Sequence, residues 1–377
     1  MSVDQFEGPH YKLVPALASS RLLVFFAGTN KTDGKFDFWK VGNSQADHKL
    51  FLNNGENEWY QNGIPGFAED IVGIGQKIER IATSLGATDI VLHGVSMGGY
   101  AAALFAKLIG CRAMAFGFDS RLRLPHTRSM QIAKAVPLFF PDISKVKGGN
   151  PGSILHIAGE VDAMDLVSAS HLLNTSGFTT LTLRGVGHGG APFIEQKYGL
   201  SSFISMFAKN EVLPEIFEKG RAAKDSTLVD RLVELHVCTK AKDWQKSEKA
   251  ANIVLDVDPS NETANYWLGT ILLANKQVKE ATRYLAVSVG SAPHFTNAQY
   301  RLARAFMVLK DYERAKFHMQ EHINLSPESV LAKVFLSDIT RAEGRSIEAD
   351  AMLREAYLLS PENQSVLGRM AKHAVLV

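Results

Sequence analysis

The sequence has little cysteine, no concentrated charge and no long apolar run. Cys111 and Cys238 are the two cysteines among 377 residues, too few and too far apart for a disulfide framework or a CxxC metal motif. Lys plus Arg number 41 against 39 Asp plus Glu, and like charges are not clustered, which argues against a nucleic-acid-binding tail or a polybasic membrane patch. A run of about 18 apolar residues, the length that spans a membrane, is also absent.

The N-terminal residues lack the basic segment and continuous apolar run that typify a secretory signal peptide. Hydrophobic residues make up 46% of the chain and charged residues 21%, a composition typical of folded protein and not of disorder. Together with the scarce cysteine, these features predict a soluble protein of the reducing cytoplasm. The length favours two or three domains, at about 100–200 residues each.

From about residue 20 to residue 209, short apolar runs alternate with amphipathic stretches. The apolar runs, each closed by Gly, Asn or Asp, are 21–27, 49–53, 89–95, 112–118, 153–159 and 179–185. Such runs are typical of parallel strands buried on both faces, and the stretches between them, notably 66–85, 98–109 and 166–174, predict helices. We therefore expect an open, mostly parallel α/β sheet, with its functional loops at the carboxyl ends of the strands.

From about residue 226 onward the strand pattern disappears and prolines recur at a fixed spacing. Pro259, Pro293, Pro327 and Pro361 lie 34 residues apart, the period of helix–turn–helix solenoid repeats. Counting back from each proline aligns three apolar columns: Leu268, Leu302 and Leu336; Ala281, Ala315 and Ala349; and Leu285, Met319 and Leu353.

A small residue, Gly269 or Ala303, follows the leucine column and predicts that the two helices of a hairpin approach closely. This pattern resembles the tetratricopeptide repeat (TPR) family over about residues 262–361. An earlier repeat at about 228–259 keeps only the proline and the helical periodicity. The residues from Glu362 onward predict a helix that caps the end of the solenoid. The change of period predicts two domains, residues 1–215 and residues 216–377.

The strongest local motif is Gly94-Val95-Ser96-Met97-Gly98-Gly99, between the apolar run 89–95 and an apolar helical segment. Strand, G-x-S-x-G and helix in this order is the context of a nucleophile elbow. The sharp turn would hold Ser96 in a strained conformation with its hydroxyl exposed, and Gly94 and Gly98 would leave room for it. An ordinary serine in a tight turn is the alternative interpretation.

A serine nucleophile needs a base, and the base needs an orienting acid. His188, flanked by glycines after the run 179–185, is the expected base. Asp162, which follows the run 153–159, is the expected acid. Asp119 is the second candidate, and Asp165 lies one helical turn after Asp162. A carboxylate that is not the acid would be a helix N-cap or a turn residue.

The oxyanion of the reaction is expected to bind two backbone amides. One is the amide of Met97, directly after the nucleophile. The other is the amide of Thr29, in the loop that follows the run 21–27, where Gly28 is the adjacent residue. Trp39, Trp59 and Tyr60 are expected either to line a substrate pocket or to form aromatic core.

The elbow, the Gly159-x-x-Asp162 segment and the glycine-flanked histidine, in this order, resemble the α/β-hydrolase superfamily over about residues 20–209. The resemblance implies an acyl-enzyme mechanism in which Ser96 attacks a carbonyl carbon, His188 transfers the proton and Asp162 orients His188. The expected function is therefore that of a serine hydrolase acting on a small-molecule or acylated substrate with a carboxylic ester or related acyl bond. An acyltransferase with the same triad and an inert repeat scaffold are the alternatives.

The sequence contains no HExxH motif, P-loop or GxGxxG segment after the first strand, so we expect neither a metal nor another cofactor. The first helices of the repeats are expected to line a groove that binds a peptide or protein partner. The candidate partner-binding residues are Tyr266, Tyr300, Arg304 and Arg341. Packing of this groove against the hydrolase domain is the alternative.

Overall fold

The computed structural model describes residues 6–133, 137–147 and 154–375. The chain divides into two compact units between Val233 and Glu234. Within the residues described, no helix combines the length and the apolar character needed to cross a membrane.

The first unit is built on an eight-stranded sheet. Its strands are β1 (Glu7–Gly8), β2 (Tyr11–Val14), β3 (Arg21–Phe26), β4 (His48–Leu52), β5 (Asp89–Val95), β6 (Arg112–Phe116), β7 (Ile154–Gly159) and β8 (Phe178–Leu183). Across the sheet they lie in the order β1-β2-β4-β3-β5-β6-β7-β8. Neighbouring strands in the part β4-β3-β5-β6-β7-β8 are parallel. β1 pairs with β2, and β2 with β4, in the antiparallel direction, so β1 and β2 form an antiparallel edge.

The described residues that accompany the sheet form the helices α1 (Trp39–Asn43), α2 (Ile71–Ser84), α3 (Met97–Ile109), α4 (Arg128–Ile132), α5 (Ala163–Leu172), α6 (Ala191–Tyr198) and α7 (Leu200–Ala208). Alternate residues of β3 face opposite sides, as they must in a strand. Leu22 and Val24 pack in one apolar cluster with residues of α2 and α3, and Leu23 and Phe25 pack in another with residues of α6 and α7. The mostly parallel sheet that the sequence predicts, with apolar packing on both faces, is confirmed.

Residues 216–225 are attached to the first unit. The amide of Arg184 donates to the carbonyl of Glu218 at 2.9 Å, and the amide of Gly220 donates to the carbonyl of Thr182 at 2.8 Å. The segment therefore runs alongside the end of β8.

The buried carboxylate of Glu160 fixes the same segment. Its Oε1 accepts hydrogen bonds from Thr182 Oγ1 and from the amide of Ala222, both at 2.8 Å. Ile216 is buried in the apolar cluster that includes α7. The expected domain boundary after residue 215 consequently lies too early in the chain, because it separates these residues from the unit against which they pack.

The helices that follow are α8 (Ser226–Lys240), α9 (Trp244–Val257), α10 (Glu262–Ala274), α11 (Val278–Ser291), α12 (Thr296–Val308), α13 (Tyr312–Leu325), α14 (Val330–Ala342), α15 (Ser346–Leu359) and α16 (Gln364–His373). α8 contains the boundary between the units. The even-numbered helices from α10 to α16 begin at residues 262, 296, 330 and 364, so successive starts are 34 residues apart. α10 packs with α11, α12 with α13 and α14 with α15. The second unit is therefore a TPR-like array of helical hairpins.

The side chains of the aligned columns form the interior of these hairpins, since all nine are buried. At Gly269 an added Cβ would lie 2.7 Å from Leu285 Cγ, so only a very small residue fits there without a shift of its neighbours. Val366 and Met370 of α16 pack in one cluster with Leu353 of α15, at the position where the sequence predicts a capping helix.

His93 on β5 and His156 on β7 are fully buried, and their ring nitrogens have no hydrogen-bond partner in the described residues. His93 stacks on Phe25 with ring centroids 5.1 Å apart, and His156 lies 4.7 Å from Phe118. Burial lowers the pKa of each histidine to about 3, because a charged imidazole would lose its hydration; the charge of Arg112 adds to the effect at His93.

These two histidines should make the sheet unit sensitive to acid. Below a pH of about 6.5 an unfolded histidine binds a proton, whereas the folded one does not until about pH 3, so stability falls across this window as the pH is lowered. In His156→Leu one such ring is removed without the loss of a hydrogen bond. Between pH 7.5 and pH 5 the stability of the variant relative to the wild type should rise by about 2 kcal/mol. Hydrogen exchange of β7 peptides in urea at both pH values measures the two stabilities. If the stability difference between the variant and the wild type were the same at pH 7.5 and pH 5, the prediction would be wrong.

A second substitution tests the anchoring of residues 216–225. An added Cβ at Gly220 would lie 2.0 Å from Glu160 Cδ, so Gly220→Ala should push the segment away from the buried carboxylate at a cost of about 1–3 kcal/mol. We expect faster tryptic cleavage after Arg221 and Lys224. Gly290→Ala is the control, since a methyl group there meets open space. Equal cleavage of Gly220→Ala and the wild type would mean that the segment is not held in this way.

Candidate active site

Ser96 occupies the turn between the end of β5 and the start of α3. Its φ of 58° and ψ of −124° place a non-glycine residue in a strained region, which costs about 1–3 kcal/mol. The amide of Ser96 lies 3.0 Å from both the carbonyl of Phe116 and the carbonyl of Gly117, at the end of β6. The neighbouring strand therefore holds this turn, and the Ser96 side chain remains partly exposed.

Two glycines allow the backbone to cross itself beside Ser96. A Cβ at Gly94 would lie 2.0 Å from the carbonyl oxygen of Gly98, and a Cβ at Gly98 would lie 2.1 Å from the carbonyl oxygen of Phe26. Real Cβ atoms do not approach backbone atoms so closely, so neither position tolerates a side chain. The sharp turn at Ser96 therefore requires glycine at both positions, as the G-x-S-x-G motif predicts.

His188 follows β8, and its partner is Asp165. Nδ1 of His188 lies 2.8 Å from Oδ1 of Asp165, and the amide of Gly189 donates to Oδ2 of the same carboxylate at 3.1 Å. Asp165 is buried in the first turn of α5. The structure thus places Asp165, and not the expected Asp162, against the imidazole.

Asp162 has a different set of contacts. Its Oδ1 caps the N-terminus of α5 by accepting from the amides of Met164 and Asp165, and its Oδ2 lies 2.6 Å from Nη2 of Arg128. Burial would raise the pKa of Asp162, but the hydrogen bond and charge of Arg128 outweigh burial and hold this pKa below its usual value. A carboxylate directly before a helix is a preferred N-cap, the role expected of a carboxylate that does not orient the histidine.

Asp119, the second candidate acid, lies beyond the end of β6 and accepts a hydrogen bond from the amide of Ser129 at 2.7 Å. It holds the segment that begins α4, and burial raises its pKa. In the described structure it has no hydrogen bond to His188.

The backbone of Gly117 contacts both the Ser96 turn and the His188–Asp165 pair. Its carbonyl accepts from the amide of Ser96, and a Cβ added to it would lie 2.4 Å from Oδ2 of Asp165 and 2.6 Å from the amide nitrogen of Gly189. Nε2 of His188 is buried and has no hydrogen-bond partner among the described residues. In the described part of the chain, Ser96 Oγ and Nε2 of His188 therefore form no hydrogen bond.

The loop after β3 packs against Ser96, since a Cβ at Gly28 would lie 3.7 Å from Ser96 Cβ. The amide of Gly28 donates to Oδ2 of Asp37 at 2.8 Å, and Lys31 Nζ lies 2.7 Å from Oδ1 of Asp37. The Gly28 amide is therefore already occupied by Asp37. Thr29, whose amide is the expected second oxyanion donor, is the next residue along the loop.

Met97 begins α3, where the first amides of a helix have no acceptor within the helix and carry the positive end of its dipole. Met97 directly follows Ser96, the position at which the first oxyanion donor is expected.

Trp59 and Tyr60 are buried, so their role is aromatic core and not pocket lining. The Tyr60 hydroxyl donates to the carbonyl of Ala27 at 2.9 Å, at the end of β3. Trp39 is partly exposed and packs on Phe51 with ring centroids 4.8 Å apart.

Atoms of Asp162, Asp165 and His188 lie within 4.8 Å of one another, a separation that a metal ion could bridge. The guanidinium of Arg128 already pairs with Asp162, and Nδ1 of His188 already binds Asp165. A second cation would have to displace Arg128, so the cluster fits an acid–base pair better than a metal centre.

The four candidate partner-binding residues of the repeats differ in accessibility. Tyr266 is buried against Phe295, with ring centroids 5.0 Å apart, so it exposes little surface to a partner. Tyr300 is half-buried, Arg304 is exposed and Arg341 forms an ion pair with Asp350.

A groove of about 630 Å³ lies on the second unit. Met307 and Phe335 contribute apolar surface, and Asp338, Arg341 and Arg369 contribute charge. Asp338 and Arg369 form an ion pair with an Nη2–Oδ2 distance of 3.1 Å. Of the predicted partner-binding residues, Arg341 alone is among those that line this groove in the described structure.

No protein-family model matches the chain, and a search of curated proteins finds no similar protein. Solved structures that resemble it include MamA from Desulfovibrio magneticus RS-1, with 24% identity and a TM-score of 0.32 over 34% of this chain and 73% of that chain. TTC0263, a thermophilic TPR protein of Thermus thermophilus, has 13% identity and a TM-score of 0.34 over 39% and 81%. The first TPR of Spaghetti (RPAP3), bound to an HSP90 peptide, has 20% identity and a TM-score of 0.30 over 32% and 96%. Because these TM-scores are low, the TPR-like character of the second unit rests on its own 34-residue hairpins.

Proposed function

We propose that the first unit is a serine hydrolase of the α/β-hydrolase type, which cleaves a carboxylic ester or a related acyl bond through an acyl-enzyme on Ser96. The observation that carries the proposal is the strained Ser96 at the β5–α3 turn together with the His188–Asp165 pair, both of which contact the backbone of Gly117. The chain order Ser96, Asp165, His188 is the order of the triad in that fold. The loop after β3, which packs against Ser96, is also where that fold carries its second oxyanion donor.

The proposed reaction has two similar halves. Oγ of Ser96 attacks the carbonyl carbon while Nε2 of His188 accepts the hydroxyl proton, and the amides of Met97 and Thr29 bind the oxyanion. Asp165 accepts a hydrogen bond from Nδ1–H of His188 and stabilises the imidazolium. The imidazolium then protonates the leaving group. In the second half, Nε2 of His188 accepts a proton from the water that attacks the acyl carbon and returns it to Oγ of Ser96 as the bond to the acyl group breaks and the acid product leaves. An acyltransferase would use the same residues with another acceptor in place of water.

The second unit supports a role in binding a protein or peptide. The array of hairpins presents a groove lined by the apolar side chains of Met307 and Phe335 and by charged side chains. An inert repeat scaffold would share this surface but would have no need for the strained Ser96 or for an imidazole held by a buried carboxylate. Reactivity at Ser96 therefore separates the two functions.

Labelling of the full-length protein with a fluorophosphonate should modify Ser96 alone, because its hydroxyl lies at a helix start beside a histidine–carboxylate pair. Ser96→Ala should abolish both the labelling and the hydrolysis of p-nitrophenyl acetate. Ser44→Ala, at an exposed serine, is the control and should retain both. Peptide mass mapping identifies the adduct, and an adduct on another serine, or none on the wild type at neutral pH, would refute the acyl-enzyme.

The acid can be identified by two matched substitutions. Asp165→Asn should reduce kcat roughly 10³–10⁴-fold, as loss of the orienting carboxylate does in such triads. Asp162→Asn should be far milder, since asparagine caps a helix about as well as aspartate. Steady-state kinetics of the two variants, with circular dichroism as the folding control, decide between them. The reverse order of effects would restore Asp162 as the acid.

A further inference from the structure

Arg128 contacts both carboxylates beside the imidazole. Its Nη2 lies 2.6 Å from Oδ2 of Asp162, and its Nη1 lies 3.7 Å from Oδ1 of Asp165. The latter oxygen is the one that lies 2.8 Å from Nδ1 of His188. One guanidinium therefore joins the capping carboxylate to the carboxylate that binds the histidine.

The position of Arg128 is fixed by the residues on either side of it. Thr127 and Ser129 are both buried, and the Thr127 side chain caps α4. The amide of Ser129 donates to Asp119 at 2.7 Å, and its hydroxyl accepts from the amide of Arg123 at 2.8 Å. These contacts hold the five-residue α4, and with it the guanidinium, beside the carboxylates.

The charges around the imidazole come from three elements. Asp162 and Asp165 face it from α5, Arg128 from α4, and Asp119 lies nearby beyond β6. Burial of Arg128 would lower its pKa, but the hydrogen bond and charge of Asp162, followed by the charges of Asp165 and Asp119, raise it, so the guanidinium stays charged. Without this cation, two carboxylates would favour a proton on the imidazole.

We propose that Arg128 is a positioning residue. Its guanidinium offsets the negative charge of Asp162 and part of that of Asp165, so that His188 stays neutral at a lower pH than it would beside two unpaired carboxylates. The catalytic consequence rests on the proposed hydrolase function. The effect on the protonation of His188 is independent of that function, because it follows from the contacts of Arg128 with Asp162 and Asp165.

The test is an NMR titration of the His188 ring in full-length protein with labelled histidine, with the signal assigned by His188→Gln. In Arg128→Met the titration midpoint should rise by about one pH unit, the size of shift expected from one nearby charge. Arg128→Lys should restore most of the wild-type behaviour, because it keeps the charge. Arg80→Met, which removes an exposed arginine on α2, should leave the midpoint unchanged. An unchanged or lower midpoint in folded Arg128→Met would overturn the proposal.

A double variant separates charge from structure. In Arg128→Met/Asp162→Asn one positive and one negative charge are removed together, so the midpoint should return close to that of the wild type. A midpoint that stays at the Arg128→Met value would mean that the single substitution acts by distorting the site, and the proposal would fail.

The kinetic test runs in parallel on the same variants. If Ser96 forms an acyl-enzyme, the acidic limb of the kcat/KM profile should move to higher pH in Arg128→Met, with KM changed less than kcat. Absence of turnover in every variant and in the wild type would refute the hydrolase, while the NMR titration would still decide the role of Arg128.

Discussion

The first unit depends on a backbone crossing in which the start of α3 lies against the ends of β3 and β5. Carbonyl oxygens occupy the space in which Cβ atoms of Gly94 and Gly98 would lie, at 2.0 Å and 2.1 Å. This contact forces Ser96 out of the strand and out of the helix, into the φ of 58° that exposes its side chain. The same crossing places the Met97 amide at the positive end of α3 and brings the loop after β3 against Ser96. The strained serine, the adjacent amide and the helix dipole thus follow from one steric constraint.

Gly117 extends this constraint to the other half of the site. Its carbonyl and that of Phe116 receive the Ser96 amide, and its α-carbon lies so close to Asp165 and Gly189 that a side chain would displace them. The glycine follows β6, the strand between β5 and β7, so it lies where loops from both neighbouring strands converge. A bulkier residue would separate the serine turn from the histidine pair, because this stretch of backbone contacts both of them.

The sequence predicts the features that arise from local pattern. Buried strands are continuous apolar runs, the elbow is a strand–glycine–helix string, and the repeats have a fixed period, so all of these lie within a few residues of their predicted positions. The acid is harder to predict, because Asp162 and Asp165 lie one helical turn apart and only the direction of α5 decides which carboxylate meets His188. The role of Arg128 has no signal in the sequence, since a five-residue helix carries no periodicity that shows where its side chains point. Glu160 and its contacts with residues 216–225 join segments that are distant in sequence, which no local pattern reveals.

The loop after β7 combines these features in a few residues. Glu160 accepts from Ala222, Asp162 binds Arg128, and Asp165 binds His188. Residues 216–225, the segment that carries α4 and the loop that carries His188 are therefore all fixed to one short stretch of chain. Because the carboxylates of this stretch are buried or paired, each needs its partner to avoid an uncompensated charge in the protein interior. The first unit consequently includes residues 216–225, although no residue of that segment takes part in the proposed chemistry.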